Sequence, residues 1–189
     1  MLYLIGGASR SGKTLLAERM RAERGLSTLS LDWLVMGFTN GMPQVGIHDK
    51  LFPDDIAVRL WRFLTAMCEN MLWADLDQVI EGEAMLPSRI RELTKAHPGG
   101  IRACFLGYTD VDIHAKLREI RNYSDPRTDW LAKESDAYVR DHIRNMTAFS
   151  RQLAAECEAS GLPYFDTSTD FIGATEAAWR SLGDGDPAS

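Results

Sequence analysis

The fold of this chain is decided by one stretch near its start, Gly7-Ala8-Ser9-Arg10-Ser11-Gly12-Lys13-Thr14. It follows a short apolar run at residues 2–5 and leads into residues 15–20, whose apolar members recur at helical spacing. The pattern G-x-x-x-x-G-K-S/T between a strand and a helix places glycines where the backbone turns sharply toward an anion. Successive N–H groups and the positive end of the helix then converge on phosphate oxygens. The sequence therefore predicts a phosphate-binding loop.

Each part of this loop has a predicted task. The backbone of Gly7, Ala8, Ser9, Arg10, Ser11 and Gly12 is expected to hold nucleotide phosphates. Lys13 is expected to reach the β- and γ-phosphates, and the Thr14 hydroxyl is expected to ligate Mg²⁺. The alternative is a glycine-rich turn that binds no ligand.

Composition limits the classes of protein that fit. The chain has 189 residues, 45% hydrophobic and 25% charged, which suits an α/β domain with a substantial core. A net charge of −6 argues against a broadly basic surface for nucleic acid. No apolar run approaches the ~20 residues of a membrane span, and the strand and loop at the start leave no place for a signal peptide. We expect a cytoplasmic protein, either a monomer or a homodimer.

The rest of the chain alternates between strand and helix signals. The predicted strands cover residues 2–5, 27–32, 78–83, 101–106 and 162–166. Helical periodicity between them predicts helices over about 13–24, 56–73, 86–96, 110–120, 130–160 and 171–182, a further helix that starts at Trp33, and an irregular segment at 39–55. This alternation predicts an α/β fold, a three-layer α/β/α arrangement around a five-stranded, mainly parallel sheet. We expect one domain over residues 1–182 and a flexible tail at 183–189. The three cysteines are odd in number and far apart, so neither disulfides nor a zinc site is expected.

Two predicted strands end on carboxylates. Asp32 ends the second strand and Glu81 lies near the end of the third. Because the carboxyl ends of parallel strands face the ligand crevice, both acids are expected beside the loop. Glu81 is the candidate for organising Mg²⁺ or its water ligands, with Glu83 as the second choice. Asp32 has an alternative role as the N-cap of a helix that begins at Trp33.

An arginine-rich segment follows the fourth strand. Arg118, Arg121 and Arg127 lie at residues 118–132, where Pro126 interrupts the helical pattern. Guanidinium groups offer planar, bidentate donors to phosphate, which suits a lid over a transferring phosphoryl group. The alternative is a solvated helix end with a turn.

With these residues placed, the chain resembles the small P-loop kinases, which include nucleoside monophosphate, shikimate and gluconate kinases. The resemblance is carried by the loop at residues 7–14 and by Asp32 and Glu81. It implies a sheet order of 2-3-1-4-5, a helical lid, and an acid at Asp32 that orients the acceptor hydroxyl. It also implies that the turn after the fifth strand borders the adenine, which points to Thr167 and Ser168.

The resemblance implies an ATP- and Mg²⁺-dependent enzyme that phosphorylates a hydroxyl of a small metabolite. In that reaction Lys13, Asp32, Arg121 and Arg127 are the expected catalytic residues. Arg118 is expected to contact the nucleotide. The alternatives are a nucleoside or nucleoside monophosphate kinase, a nucleotide-binding regulatory protein, and a toxin-like kinase acting on a cell-wall precursor.

Overall fold

The apolar runs of the sequence form five strands of one sheet. The structure is a computed structural model that describes residues 1–124 and 129–183. The strands are β1 (Leu2–Gly7), β2 (Ser27–Ser30), β3 (Gln78–Gly82), β4 (Ile101–Gly107) and β5 (Tyr164–Asp166). They pair in the order β2-β3-β1-β4-β5, and every pairing is parallel. The predicted fold class and sheet order are confirmed.

Helices connect the strands and cover both faces of the sheet. They are α1 (Lys13–Arg24), α2 (Leu31–Gly41), α3 (Pro53–Trp73), α4 (Pro87–Ala96), α5 (Ile113–Tyr123), α6 (Asp136–Ser160) and α7 (Phe171–Gly183). Short 3-10 turns occur at Pro43–Val45 and Trp130–Lys133. Helix α7 ends one residue beyond the predicted Leu182. Residues 184–189 of the expected tail lie outside the described residues.

Two apolar cores lie on opposite faces of the sheet because successive side chains of a strand point in opposite directions. Leu2 and Leu4 of β1 belong to the larger core, which packs against α3, α4 and α6. Ile5 belongs to the smaller core, which is formed with α1 and α7. This packing places the central strand β1, and the loop that follows it, in the middle of the molecule.

The three cysteines are buried free thiols within these cores. Burial raises the pKa of Cys68 and Cys157 to about 12. Neutral thiols are poor nucleophiles and poor metal ligands. The three thiols therefore pack as small apolar side chains of the two cores.

Several predicted boundaries were wrong, and capping side chains explain two of them. Strand β2 ends at Ser30 because this serine caps α2 and accepts a hydrogen bond from the Asp32 N–H at 3.4 Å. Asp32 is thus neither a strand end nor an N-cap, but lies in the first turn of α2. The predicted helix over 130–160 is likewise divided, since Ser135 caps α6 and accepts from the Tyr138 N–H at 3.2 Å.

Two further helices begin at residues other than those predicted, one because of a proline and one because of an aspartate. Helix α3 begins at Pro53 rather than Ile56, because proline fits the first turn of a helix. Helix α5 begins after the cap Asp112 instead of at Asp110. The irregular segment predicted for residues 39–55 is shorter than expected, since α2 continues to Gly41.

Candidate active site

The loop at residues 7–14 connects β1 to α1 with the geometry of an anion cradle. Gly7, Arg10 and Gly12 have positive φ values of 142°, 63° and 99°. These values turn the backbone back on itself, and the concave side of the loop is called here the loop mouth. Helix α1 begins at Lys13, so the N–H groups of its first turn face this mouth. The Lys13 ammonium is 6% exposed and donates to the Ala8 carbonyl at 2.6 Å. A cation and helix-end donors therefore converge where the sequence predicts phosphate binding.

The second feature of the site is the approach of Thr14 to Glu81. The Thr14 hydroxyl donates to Glu81 Oε2 at 3.5 Å, and Glu81 is 5% exposed. Parallel pairing of β1 with β3 sets Ile5 beside Glu81, which places the carboxylate next to the strand that carries the loop. The two predicted metal ligands are thus brought together. Both offer oxygen atoms, which Mg²⁺ prefers.

Glu83 and Asp32 extend this acidic side of the site. Burial raises the pKa of Glu83. The negative charges of Asp32 and Glu81 raise this pKa further, whereas the Lys13 charge and a hydrogen bond with Ser9 lower it. Glu83 therefore lies within electrostatic reach of the loop cation and of the acid on α2. Trp33, beside Asp32, is 76% exposed. The carboxyl groups of Asp32 and Glu81 are therefore both close enough to that of Glu83 to interact with it, and Trp33 is exposed in the same turn of α2 as Asp32.

The predicted lid arginines have different surroundings. Arg121 donates to the carbonyls of Leu131 at 2.8 Å and Glu134 at 2.6 Å, and it pairs with Asp136 at 2.9 Å. Its guanidinium thereby fastens residues 131–136 to α5. Arg118 lies on the exposed side of α5, and Arg127 lies outside the described residues. The contact of any of these arginines with a phosphate stays a prediction.

Sequence reasoning missed Asp129 as a member of the site. Its buried carboxylate forms an ion pair with Arg10 of the loop and also accepts from Ser124 and from the Leu131 N–H. Burial alone would raise the pKa of Asp129, but the Ser124 hydrogen bond and the Arg10 charge hold it below its ordinary value. Only its position, an acid directly before Trp130, hinted at a cap. Its pairing with the loop is purely tertiary.

The residues predicted to border the adenine are engaged in contacts between strands and loops. Thr167 is 5% exposed and its hydroxyl donates to the Gly107 carbonyl at 3.1 Å. The Ser168 hydroxyl accepts from the Asp110 N–H at 3.0 Å. These bonds hold the turn after β5 beside the end of β4. A role in nucleotide binding remains a prediction.

Two searches of the described residues bear on cofactors and on membranes. Within 1–124 and 129–183, no group of three or more His, Cys, Asp and Glu side chains could hold a metal ion. Over the same ranges, none of the helices is both long and apolar enough to cross a membrane.

Comparison with solved structures shows which known proteins share this fold. A shikimate kinase from Bacteroides thetaiotaomicron matches at 16% identity and a TM-score of 0.55, with 96% of each chain covered. A gluconokinase from Sinorhizobium meliloti 1021 matches at 16% identity and a TM-score of 0.51, covering 95% of this chain and 90% of that one. The fold is that of the small P-loop kinases.

A third match is a shikimate kinase from Acinetobacter baumannii in complex with shikimate. It is 17% identical with a TM-score of 0.52, covering 96% of this chain and 90% of that one. No protein-family model and no curated protein matches the sequence. At these identities the likeness shows the fold alone, so the activity has to be argued from the site.

Proposed function

We propose that this protein is an ATP- and Mg²⁺-dependent phosphotransferase that phosphorylates a hydroxyl group of a small metabolite. The observation that carries the proposal is the arrangement of Lys13 and Thr14 at the start of α1. The Lys13 ammonium donates to the Ala8 carbonyl at 2.6 Å across the loop, and the Thr14 hydroxyl lies 3.5 Å from the buried Glu81 carboxylate. A cation and an oxygen-donor pair side by side are what a magnesium-bound polyphosphate requires.

Different residues of this chain are assigned different roles in phosphoryl transfer. The loop backbone and Lys13 bind the phosphates, and Thr14 with Glu81 holds the metal directly or through water. When bound, Mg²⁺ neutralises negative charge on the phosphates. Lys13 supplies a fixed positive charge in a buried place, where it acts more strongly than in water. Catalysis then consists of positioning and charge stabilisation rather than of covalent chemistry.

Asp32 is proposed to orient the acceptor hydroxyl. It lies in the first turn of α2, is exposed, and is within electrostatic reach of Glu83, which in turn interacts with Lys13. A carboxylate in this place can accept a hydrogen bond from the hydroxyl that attacks the phosphoryl group. The acceptor is therefore expected between α2 and the loop.

The experiment that tests the function is an acceptor panel coupled to ADP release. Sugars, sugar acids, cyclic hydroxy acids, nucleosides and nucleoside monophosphates are each supplied with ATP and Mg²⁺. We expect a hydroxylated metabolite to stimulate ADP release well above the rate without acceptor. Stimulation by nucleosides or their monophosphates alone would instead identify a nucleoside-type kinase. ATP binding with no stimulation by any acceptor would contradict the proposal and favour a regulatory nucleotide-binding protein.

The metal assignment makes a separate prediction for Thr14. Thr14→Val keeps the shape of the side chain and removes the hydroxyl, so the Mg²⁺ concentration for half-maximal activity should rise about tenfold. Thr14→Ser is the matched control, because it keeps the hydroxyl and should retain the wild-type requirement. Activity is measured across a Mg²⁺ titration at saturating ATP. An unchanged requirement in Thr14→Val would remove this residue from the metal site.

A further inference from the structure

Arg10 occupies a backbone conformation that side chains normally avoid. Its φ is +63°, and Asp75 is the one other non-glycine residue with positive φ in the described ranges. Crowding between Cβ and the carbonyl disfavours this region, whereas glycine adopts it freely. Strained non-glycine residues cluster at functional sites, where the side chain is needed. The loop thus keeps an arginine at a position where glycine would be relaxed.

The Arg10 guanidinium is held by a carboxylate that is itself fixed. Asp129 is 8% exposed and accepts from Arg10 Nη2, from the Ser124 hydroxyl and from the Leu131 N–H. Arg121 fastens the following residues to α5 by bonding the Leu131 carbonyl at 2.8 Å. The acid that receives Arg10 is therefore anchored to the body of the protein through α5.

The groups around Arg10 besides Asp129 include a tyrosine that follows β4 and a histidine on α6. The Tyr108 hydroxyl is buried and has no hydrogen-bond partner among the described residues, and it lies within electrostatic reach of both Glu83 and Arg10. Burial and Arg10 lower the pKa of His142 to about 4, so this imidazole is neutral at neutral pH. Arg10 thus extends from the loop toward Asp129, Tyr108 and His142.

A guanidinium has five N–H donors in a planar fork. Within residues 1–124 and 129–183, the guanidinium pairs with Asp129 through one terminal nitrogen, Nη2, so its other N–H groups can donate to phosphate oxygens. Because Arg10 belongs to the loop that is proposed to hold the phosphates, these donors start within reach of the terminal phosphate of a bound triphosphate. Arg121, in contrast, uses its donors on backbone carbonyls and Asp136.

We propose that the Arg10 side chain contacts the γ-phosphate of the nucleotide and that Asp129 is the positioning residue that orients its guanidinium. The proposal rests on the proposed function, since it requires a triphosphate in the loop. It assigns to the loop itself a charge-stabilising task that the sequence pattern gave to the arginines of residues 118–132. It also explains why a strained backbone is retained at Arg10.

The test compares binding of a triphosphate with binding of a diphosphate. Isothermal titration with Mg²⁺ and either the non-hydrolysable analogue AMP-PNP or ADP measures the contribution of the γ-phosphate directly. In Arg10→Gly the AMP-PNP affinity should fall roughly tenfold or more, as for the loss of a charge-assisted hydrogen bond, while the ADP affinity changes less than about twofold. Arg10→Lys keeps the charge without the fork and should fall between Arg10→Gly and wild type.

Asp129→Asn tests the positioning role. The variant keeps the size of the side chain and removes its charge, so AMP-PNP affinity should fall by roughly three- to fivefold, less than in Arg10→Gly. In the double variant the loss should equal that of Arg10→Gly alone, because Asp129 acts through Arg10. Additive losses would show that Asp129 acts independently of Arg10 and would overturn its assignment.

The outcomes separate this inference from the function on which it rests. An unchanged ratio of AMP-PNP to ADP affinity in Arg10→Gly overturns the γ-phosphate contact and leaves the kinase proposal standing. A wild-type protein that binds neither nucleotide overturns both. Thermal denaturation of each variant checks the fold, because Arg10→Gly relieves the backbone strain but leaves the buried Asp129 carboxylate without its ion-pair partner. If Asp129→Asn fails to fold, the Arg10→Gly comparison alone decides.

Discussion

Lys13→Met should reduce turnover by roughly 10²- to 10³-fold, the loss typical of removing one preorganised charge-stabilising donor. Lys13 is 6% exposed and its ammonium donates to the Ala8 carbonyl at 2.6 Å across the loop mouth. Methionine keeps the aliphatic stem and removes the charge, so the packing around the loop is preserved. Turnover is measured with an acceptor from the panel, and thermal denaturation verifies that the fold is intact.

The matched control for this variant is Lys95→Met. Lys95 lies in the last turn of α4 and is exposed, so its removal should leave turnover unchanged. The two variants change the net charge equally, which separates a local effect of Lys13 from a general one. If Lys13→Met turned over as fast as Lys95→Met, the loop would not be the phosphate site.

Gly7→Ala should be the most destabilising substitution in the loop. A Cβ at Gly7 would stand 2.0 Å from the Leu106 carbonyl oxygen, and the backbone there has a φ of +142°. That oxygen also accepts a hydrogen bond from the Ala8 N–H at 3.0 Å. Relief of the clash must therefore separate β1 from β4 at the centre of the sheet. We expect a loss of about 3 kcal/mol of stability, or roughly 10 °C in Tm.

Gly25→Ala provides a matched control for Gly7→Ala. Gly25 caps α1 with a φ of +67°, and an added Cβ meets nothing within 4 Å. Its cost is the left-handed conformation alone, about 1 kcal/mol, which corresponds to roughly 3 °C in Tm. Urea and thermal unfolding of both variants measure the difference. Equal midpoints would mean that the close approach of Gly7 to Leu106 does not constrain the fold.

The sequence predicted those parts of the site that depend on short-range spacing. The loop motif places Lys13 and Thr14 at the start of a helix, which is where α1 begins. Glu81 follows two buried strand residues, and parallel pairing brings it to the loop as expected. In both cases a local pattern, joined to the general rule about strand ends, fixed the position. The assigned roles of these residues await the experiments above.

The predictions from sequence were wrong where a capping side chain starts a helix at a residue that the apolar pattern does not mark. Asp32 was expected at a strand end or at a cap, but Ser30 caps α2 and draws Asp32 into its first turn. In the same way Ser135 starts α6 and divides a helix predicted to run through Trp130. Serine is a favoured N-cap, so both signals were present, yet apolar periodicity outweighed them in the prediction.

By itself, the sequence determined the strand, loop and helix at residues 2–24, the alternation of strands and helices and the place of Glu81 near a strand end, because each of these depends on residues close together along the chain. Only the tertiary structure decided that Arg10 pairs with Asp129, 119 positions away, and that Arg121 bonds backbone carbonyls. The physical reason is that an ion pair depends on where two distant backbone segments meet. Packing of the helices on the sheet sets that meeting point, and no local spacing encodes it.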